Sequence, residues 1–427
     1  MGILLRNVVA IPKASKTART IDLRIEEATI SAISEERLPV HSGETIVDGE
    51  GKLAVPGFVN AHTHLPMTLF RGLADDLPLH VWLEKHIWPL ERRLEPQEIY
   101  WGSLLGLSEM IRSGTTLCAD MYFHTDTIGR AVEEAGVRAV LSCGIIAERL
   151  DAHGEAELKK AEEAIVQWEG AADGRIKTAV SPHAVYTCGE AVWRAAIELA
   201  QDHAVPLHTH LAETDEEIAW SQEHLGVSPV AFLSRIGAFS VPFLAAHCVH
   251  VDKEDIALLA RENAVVVHCP KSNAKLGNGI APISALRKDG VKIALGTDGA
   301  ATNNSLDMIE EMRMASLLGK VVSNDPTVLP AQEVVKMATQ IGAEALGTGT
   351  KSIAVGEPAD IVLVDLGSVH TLPTYNPFSS LVYAGHTQDV TDVIVAGRFL
   401  LRDRELLTID EERVKYEVKK LVTKYKN

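Results

Sequence analysis

Eight short apolar runs, each followed by a stretch of helical spacing, constrain this chain more than any other feature. They lie at residues 55–60, 115–121, 137–143, 176–182, 205–211, 242–249, 264–270 and 291–298. A strand with one wet face alternates apolar and polar residues; these runs are nearly continuous, as strands covered on both faces are. Helical periodicity fills the gaps at residues 96–113, 125–135, 155–169, 190–204 and 252–263, among others. Eight strand–helix alternations predict an α/β fold, a parallel (β/α)8 TIM barrel. Such a barrel takes about 250 residues, and the chain has 427. The surplus sits at both ends. Residues 1–55 read as short strands rich in Val, Ile and Thr and punctuated by Gly and Pro, as do residues 356–366 and 391–406. The expected organisation is a barrel over residues 56–350 and a small β-sandwich domain formed jointly by residues 1–55 and 351–427. A helix at 330–346 would follow the barrel, and an amphipathic helix at 410–424 would end the chain.

Charge and cysteine usage narrow the function classes. The formal net charge of −17 sets a general field that repels nucleic acid and anionic membrane, and it favours solubility. Cys118, Cys143, Cys188, Cys248 and Cys269 are scattered, odd in number and free of CxxC spacing, which argues against a disulfide framework and a thiolate metal site. No apolar run of membrane-spanning length appears, and the first residues do not read as a secretion signal, so a cytoplasmic protein is expected.

The polar residues of interest stand at the C-terminal ends of the strand runs. In HTH, His62 and His64 are two apart and share one strand face, so two imidazoles can reach one ion. HTHLAE supplies His208, His210 and Glu213; AAHCVH supplies His247; LGTDGA supplies Asp298; SPHAVY supplies His183. A parallel barrel gathers these strand ends on one open face, where active sites are built. Three imidazoles and a carboxylate suit one borderline divalent cation, Zn²⁺ first, with Fe²⁺ and Mn²⁺ as alternatives. Coordination can bring the pKa of a water from 15.7 to about 7. Asp298 is placed to hold the ion and to accept that water's proton. Glu213, three residues past His210, reads as a mobile acid/base group, and His247 as an orienter of the nucleophile.

Other residues carry plainer readings. His208 reads as structural, because one ion needs only one histidine of that pair. His250, His268 and His386 read as satisfied polar or surface histidines. On general grounds Glu91 in WPLERRL is a helix-surface carboxylate. Trp82 and Trp88 have two readings, plain core or a stacking wall for a flat substrate. GNG at 277–279 and GAATNNS at 299–305 read as turn chemistry, and no GK[ST] follows the first to make a phosphate loop.

Taken together, PGFVNAHTH, THLAET, AAHCVH and LGTDGAATNNSLDMIEEMR resemble the amidohydrolase superfamily, in its cytosine deaminase-like and chlorohydrolase-like branch. HTHLPMTLFRGLADDLPLHVWL, WPLE, SPHAVY and HCPKSNAKLGNGIAPI are similar to the deaminases of 5-methylthioadenosine and S-adenosylhomocysteine within it, and the likeness covers nearly the whole chain. The resemblance implies hydrolytic deamination of an adenosine-type nucleoside at C6. It implies one metal ion on His62, His64, His210 and Asp298, with Glu213 as proton shuttle and His247 beside the nucleophile. By the same resemblance Glu91 binds ribose hydroxyls and His183 contacts the purine. The pattern often has an arginine near the end of the third strand to meet a substrate carboxylate. Cys143 stands there instead, with Arg149 six residues on as the substitute candidate, which favours methylthioadenosine or adenosine. The alternatives are another heteroaromatic ring, such as a guanine-like base or an s-triazine, and a non-catalytic scaffold that would be expected to have lost its ligands. A small nucleoside is the expected partner, with neither nucleic acid nor membrane, in a homo-oligomer.

Overall fold

The computed structural model describes residues 2–425 other than 14, 16 and 78. Eight parallel strands form one sheet in sequence order: β1 (Phe58–Thr63), β2 (Thr115–Tyr122), β3 (Arg138–Ile145), β4 (Ile176–Pro182), β5 (Leu207–Leu211), β6 (Phe243–His247), β7 (Val265–His268) and β8 (Lys292–Leu295). The sheet returns on itself between β8 and β1. There the Asp298 amide donates to the His62 carbonyl at 2.9 Å, and the Asn60 side chain bonds the Thr297 N–H at 3.0 Å and its hydroxyl at 2.7 Å. Gly296 permits this approach: a Cβ on it would lie 2.9 Å from the His62 backbone.

Strand side chains alternate between two apolar layers, which is why the sequence runs look continuous. Ala61, Leu117, Ala119, Val140, Leu244 and Val267 point inward and pack with Ala343 and Leu346 from the helical segment that follows the barrel. Phe58, Leu141, Val180, Leu207, Phe243 and Leu295 belong to the larger core that includes the surrounding helices. β4 occupies its expected residues. β1 does not: residues 55 and 56 belong to a strand of the second sheet, Lys52–Pro56, and β1 runs on to Thr63. Only Gly57 separates these two strands, so their apolar residues merge into one run in the sequence. Before β5 and β6, Pro206 and Pro242 lack the N–H a ladder needs, and both strands start one residue later than those prolines.

Nine strands from the two ends of the chain form the second sheet. Lys52–Pro56 pairs antiparallel with Ile361–Asp365, which joins the N- and C-terminal segments. The sheet curls back on itself: its edge strand Thr29–Ser34 reaches the segment that leads into Ile361–Asp365, where the Ala359 amide donates to the Ala28 carbonyl at 2.8 Å and the Gly356 amide to the Ile30 carbonyl at 2.9 Å. Leu5, Leu23, Ile30, Ile361 and Ile394 fill the space enclosed. One curled sheet thus supplies both layers expected of a sandwich. The short strands expected over 391–406 are a hairpin, Val390–Val395 and Arg398–Arg402, with a short Glu405–Leu406 beyond it. A bidentate pair ties sheet to barrel, Arg138 Nε and Nη2 to Asp360 at 2.8 and 3.1 Å, with both residues buried. The terminal helix, Glu411–Val422, packs on the barrel helix Pro96–Arg112, where the Arg413 guanidinium lies 5.3 Å from the Trp101 ring centre. All five cysteines are buried and free. Among the described residues no helix is long and apolar enough to cross a membrane.

Candidate active site

His62 lies one residue before the end of β1 and His64 just past it, His210 lies on β5, and Asp298 stands just past β8. Their donor atoms converge. His64 Nε2 lies 3.1 Å from Asp298 Oδ1 and 3.3 Å from His210 Nε2, and His62 Nε2 lies 3.6 Å from Asp298 Oδ1. Bonds of 2.0–2.1 Å in a tetrahedron separate donors by about 3.3 Å, so the spacing suits one zinc-like ion. The far side of each ring is held. His64 Nδ1 donates to the Met121 carbonyl and His210 Nδ1 to the His183 carbonyl at 3.0 Å, which leaves each Nε2 with its lone pair inward. His62 Nδ1 meets His208 Nε2 at 2.9 Å. His62 Nε2 is buried with no hydrogen-bond partner, a costly arrangement that a ligand atom relieves. These four residues therefore fit a bound divalent cation. His247 Nε2 also comes within 4.8 Å of the His62, His210 and Asp298 donors. It faces Glu213 Oε2 at 3.8 Å, so we assign it to the rim, and His64, at 3.1 Å from Asp298 and 3.3 Å from His210, to the cluster.

Asp298 is fixed from behind. Ser272 and Thr302 hydroxyls each donate to Oδ2 at 2.7 Å, and the Gly299 N–H donates to Oδ1 at 2.7 Å. Burial pushes the Asp298 carboxyl up, but the hydrogen bond and charge of His64 outweigh it and hold it well below the usual range. Burial in turn pulls His64 down, and Asp298 more than reverses this, to about 9. The carboxylate's field thus favours positive charge at the point of convergence, which a divalent cation satisfies as well as a proton does. Asp298 and His247 take left-handed backbone conformations, φ 60° and 74°. Such strain in non-glycine residues clusters at functional sites.

Above the cluster lies a cavity of about 80 Å³ lined by His64, Glu91, His183, Glu213, His247 and Asp298, among others. Past Leu79, Leu83, Trp88 and Tyr186 it adjoins a chamber of about 620 Å³. Glu213 is buried, and burial pushes its carboxyl up against the opposing charge of His247. A carboxyl group raised in this way keeps its proton to higher pH than a free one, as a general acid requires. His247 Nδ1 meets Asn273 Oδ1 at 2.8 Å, which leaves Nε2 toward the cavity. Glu91 accepts from the Tyr122 hydroxyl at 2.6 Å, and burial raises its carboxyl as well. His183 is pulled down to about 4, first by burial and then by the charge of His64, so it meets a ligand as neutral imidazole. Trp82 is buried, yet both it and Trp88 line the cavity, as a stacking wall requires.

Arg149 is not brought to the site. It is exposed on the loop after β3 and outside both cavity linings, while Cys143 is buried in β3. His208 backs His62, and His250 is held by Asp215 at 3.0 Å and the Asn278 carbonyl at 2.7 Å. His268 departs from the reading of a satisfied histidine: it is buried with Nδ1 unpartnered, and burial pulls it down to about 3. Ser272, Asn273, Asn278, Thr302 and Tyr122 escape sequence reasoning, because short polar residues give no periodic signal. The string HCPKSNAKLGNG, which carries three of them, was the available clue.

A parallel barrel whose strand ends gather three imidazoles and a carboxylate beside a buried acid/base pair defines a metal-dependent hydrolase. The chain belongs to the amidohydrolase family, which it matches over residues 53–400. It is 44% identical over 429 residues to a protein of Halothermothrix orenii named 5-methylthioadenosine/S-adenosylhomocysteine deaminase, with 99% of each chain covered. A protein of the same name from Desulforudis audaxviator is 46% identical over 418 residues, covering 97% of this chain and 96% of its own. Among solved structures, an adenosine deaminase from Xanthomonas campestris with bound zinc superposes with a TM-score of 0.93 at 36% identity, covering 98% and 97% of the two chains. An atrazine chlorohydrolase from Arthrobacter aurescens TC1 complexed with zinc, at 24% identity and a TM-score of 0.91 over 98% and 100%, bears on the fold alone. Family, zinc-bearing neighbour and donor cluster together mark a protein of divalent metal.

Proposed function

We propose that this chain hydrolyses the C6 amine of an adenosine-type nucleoside, giving the inosine analogue and ammonia. The metal is zinc, held by His62, His64, His210 and Asp298. One observation carries the reading: a buried carboxyl group, Glu213, stands beside His247 at the edge of the four-donor cluster and is raised so that it can give up a proton. When bound, the ion supplies Lewis acidity that makes water nucleophilic near neutral pH.

The chain's own residues do the rest. Glu213 protonates N1 of the purine, which makes C6 electrophilic. Asp298 Oδ1 takes a proton from the attacking water and returns it to the departing amine, and the second proton of that water leaves the oxygen as the C6 carbonyl forms and restores Glu213. His247 Nε2 holds the oxygen that adds at C6. Neutral His183 contacts the ring, Glu91 receives the ribose hydroxyls, and Trp82 and Trp88 exclude water from the ring faces. The balance is nucleoside plus water in, inosine analogue plus ammonia out.

The outer chamber bears on the 5′ substituent. Asp76, Glu84, Asp215 and Glu216 line it, and Lys275 there is already bonded to Asp75 at 2.7 Å. With Arg149 outside the lining, methylthioadenosine and adenosine suit this site better than S-adenosylhomocysteine with its carboxylate. Ammonia release from a panel of nucleosides, purine bases and triazines tests the reading. Turnover of bases or triazines in preference to nucleosides would overturn it.

A further inference from the structure

The GNG triplet at 277–279 reads in sequence as a turn, and in the structure it aims a side chain. Gly277 and Gly279 take φ of 70° and 110°, conformations that other residues adopt only under strain. Between them Asn278 is fixed at three points. Its N–H donates to the Asn273 carbonyl at 3.0 Å, its carbonyl accepts from His250 Nε2 at 2.7 Å, and its Nδ2 donates to Glu213 Oε1 at 2.9 Å. The Glu213 backbone is held as firmly: Glu217 accepts from the Ala212 and Glu213 N–H groups at 3.0 and 2.8 Å. Glu213 Oε1 is thereby engaged, and Oε2 is the oxygen that faces His247.

We propose that Asn278 is a positioning residue for the deamination, an inference that rests on the deaminase reading above. An amide N–H can only donate, and in a carboxylic acid the carbonyl oxygen accepts better than the hydroxyl oxygen. By engaging Oε1, Asn278 places the acidic proton of Glu213 on Oε2. That oxygen faces the reaction space, where the proton passes to N1. Asn278 also fixes the side-chain conformation, so that little freedom is lost when the substrate binds.

The test is a double-mutant cycle on the metal-loaded enzyme. Asn278→Asp keeps the side-chain shape and loses the donor; Asn278→Ala removes the amide and keeps the backbone bonds of the turn. Either change lowers kcat for the best nucleoside about 10- to 100-fold, the range of one hydrogen bond to an ionisable group. KM stays within about threefold, and metal content and Tm do not change. In a Glu213→Gln background, with residual turnover read at high enzyme concentration, the same substitutions change the rate less than about threefold. A raised KM with intact kcat would overturn the proposal, because Asn278 would then act only as a wall of the outer chamber. So would an undiminished loss in the Glu213→Gln background, or no effect of either variant. A wild-type chain inert toward every adenosine-type nucleoside at full metal loading is a separate outcome, and it overturns the deaminase reading first and the inference with it.

Discussion

Ser272→Ala and Thr302→Val remove the two hydroxyls that hold Asp298 without touching any of the four donors. Each hydroxyl donates to Oδ2 at 2.7 Å, and both residues are buried. A hydrogen bond to a charged group contributes about 1.5–3 kcal/mol. Not all of that reaches the metal, because Oδ1 keeps the Gly299 N–H at 2.7 Å. We expect each single variant to hold the metal about tenfold more weakly. The double variant, with no hydroxyl left on Oδ2, should be weaker by about a hundredfold, the upper part of the range seen when groups behind metal ligands are removed. The assay is competition with a chromophoric chelator, read as metal transferred at equilibrium, with circular dichroism to check the fold. A double variant that keeps the metal as the wild type does would refute the placing of the ion on Asp298.

Four further outcomes are expected. Glu213→Gln retains metal and loses turnover by about 10²–10⁴, read by ammonia release and metal analysis on one sample. Glu91→Gln raises KM for nucleosides about tenfold or more and leaves free bases nearly unaffected, as a comparison of adenosine with adenine would show. Stability falls as pH rises through Glu311, whose buried carboxyl is pushed up to about 8 from an ordinary 4.5. A group raised in the folded state contributes its full stability below its unfolded pKa and loses it as pH climbs to the folded one, so stability, and Tm with it, should drop between about pH 4.5 and 8, by an amount on the order of a few kcal/mol that Glu311→Gln abolishes. Asp360→Ala leaves the Arg138 charge buried without its partner and should cost about 3–5 kcal/mol in denaturant unfolding.

The barrel was legible because its strands are covered on both faces, and eight apolar runs at regular intervals have few other solutions. Errors fell where local sequence carries no boundary. Val55 and Pro56 look continuous with Phe58, yet they belong to another sheet, because only Gly57 marks the change. The converging side chains were legible for a related reason: a parallel barrel turns position at a strand end into position in space, which gathers His62, His64, His210 and Asp298, with His247 beside them. What holds those donors was not. Ser272, Asn273 and Asn278 act through one atom each, across distances in sequence of 26 to 65 residues, and no periodicity encodes such pairs. Arg149 shows the limit from the other side. A charge six residues beyond a strand position can lie anywhere on a loop, and here it lies in solvent.

The most direct test of the central claim is kcat/KM for adenosine, methylthioadenosine and S-adenosylhomocysteine, with metal content measured on the same protein. The account predicts ammonia release at about one ion per chain, with adenosine and methylthioadenosine turned over in preference to S-adenosylhomocysteine. Fully metal-loaded protein that releases no ammonia from any of the three would contradict it.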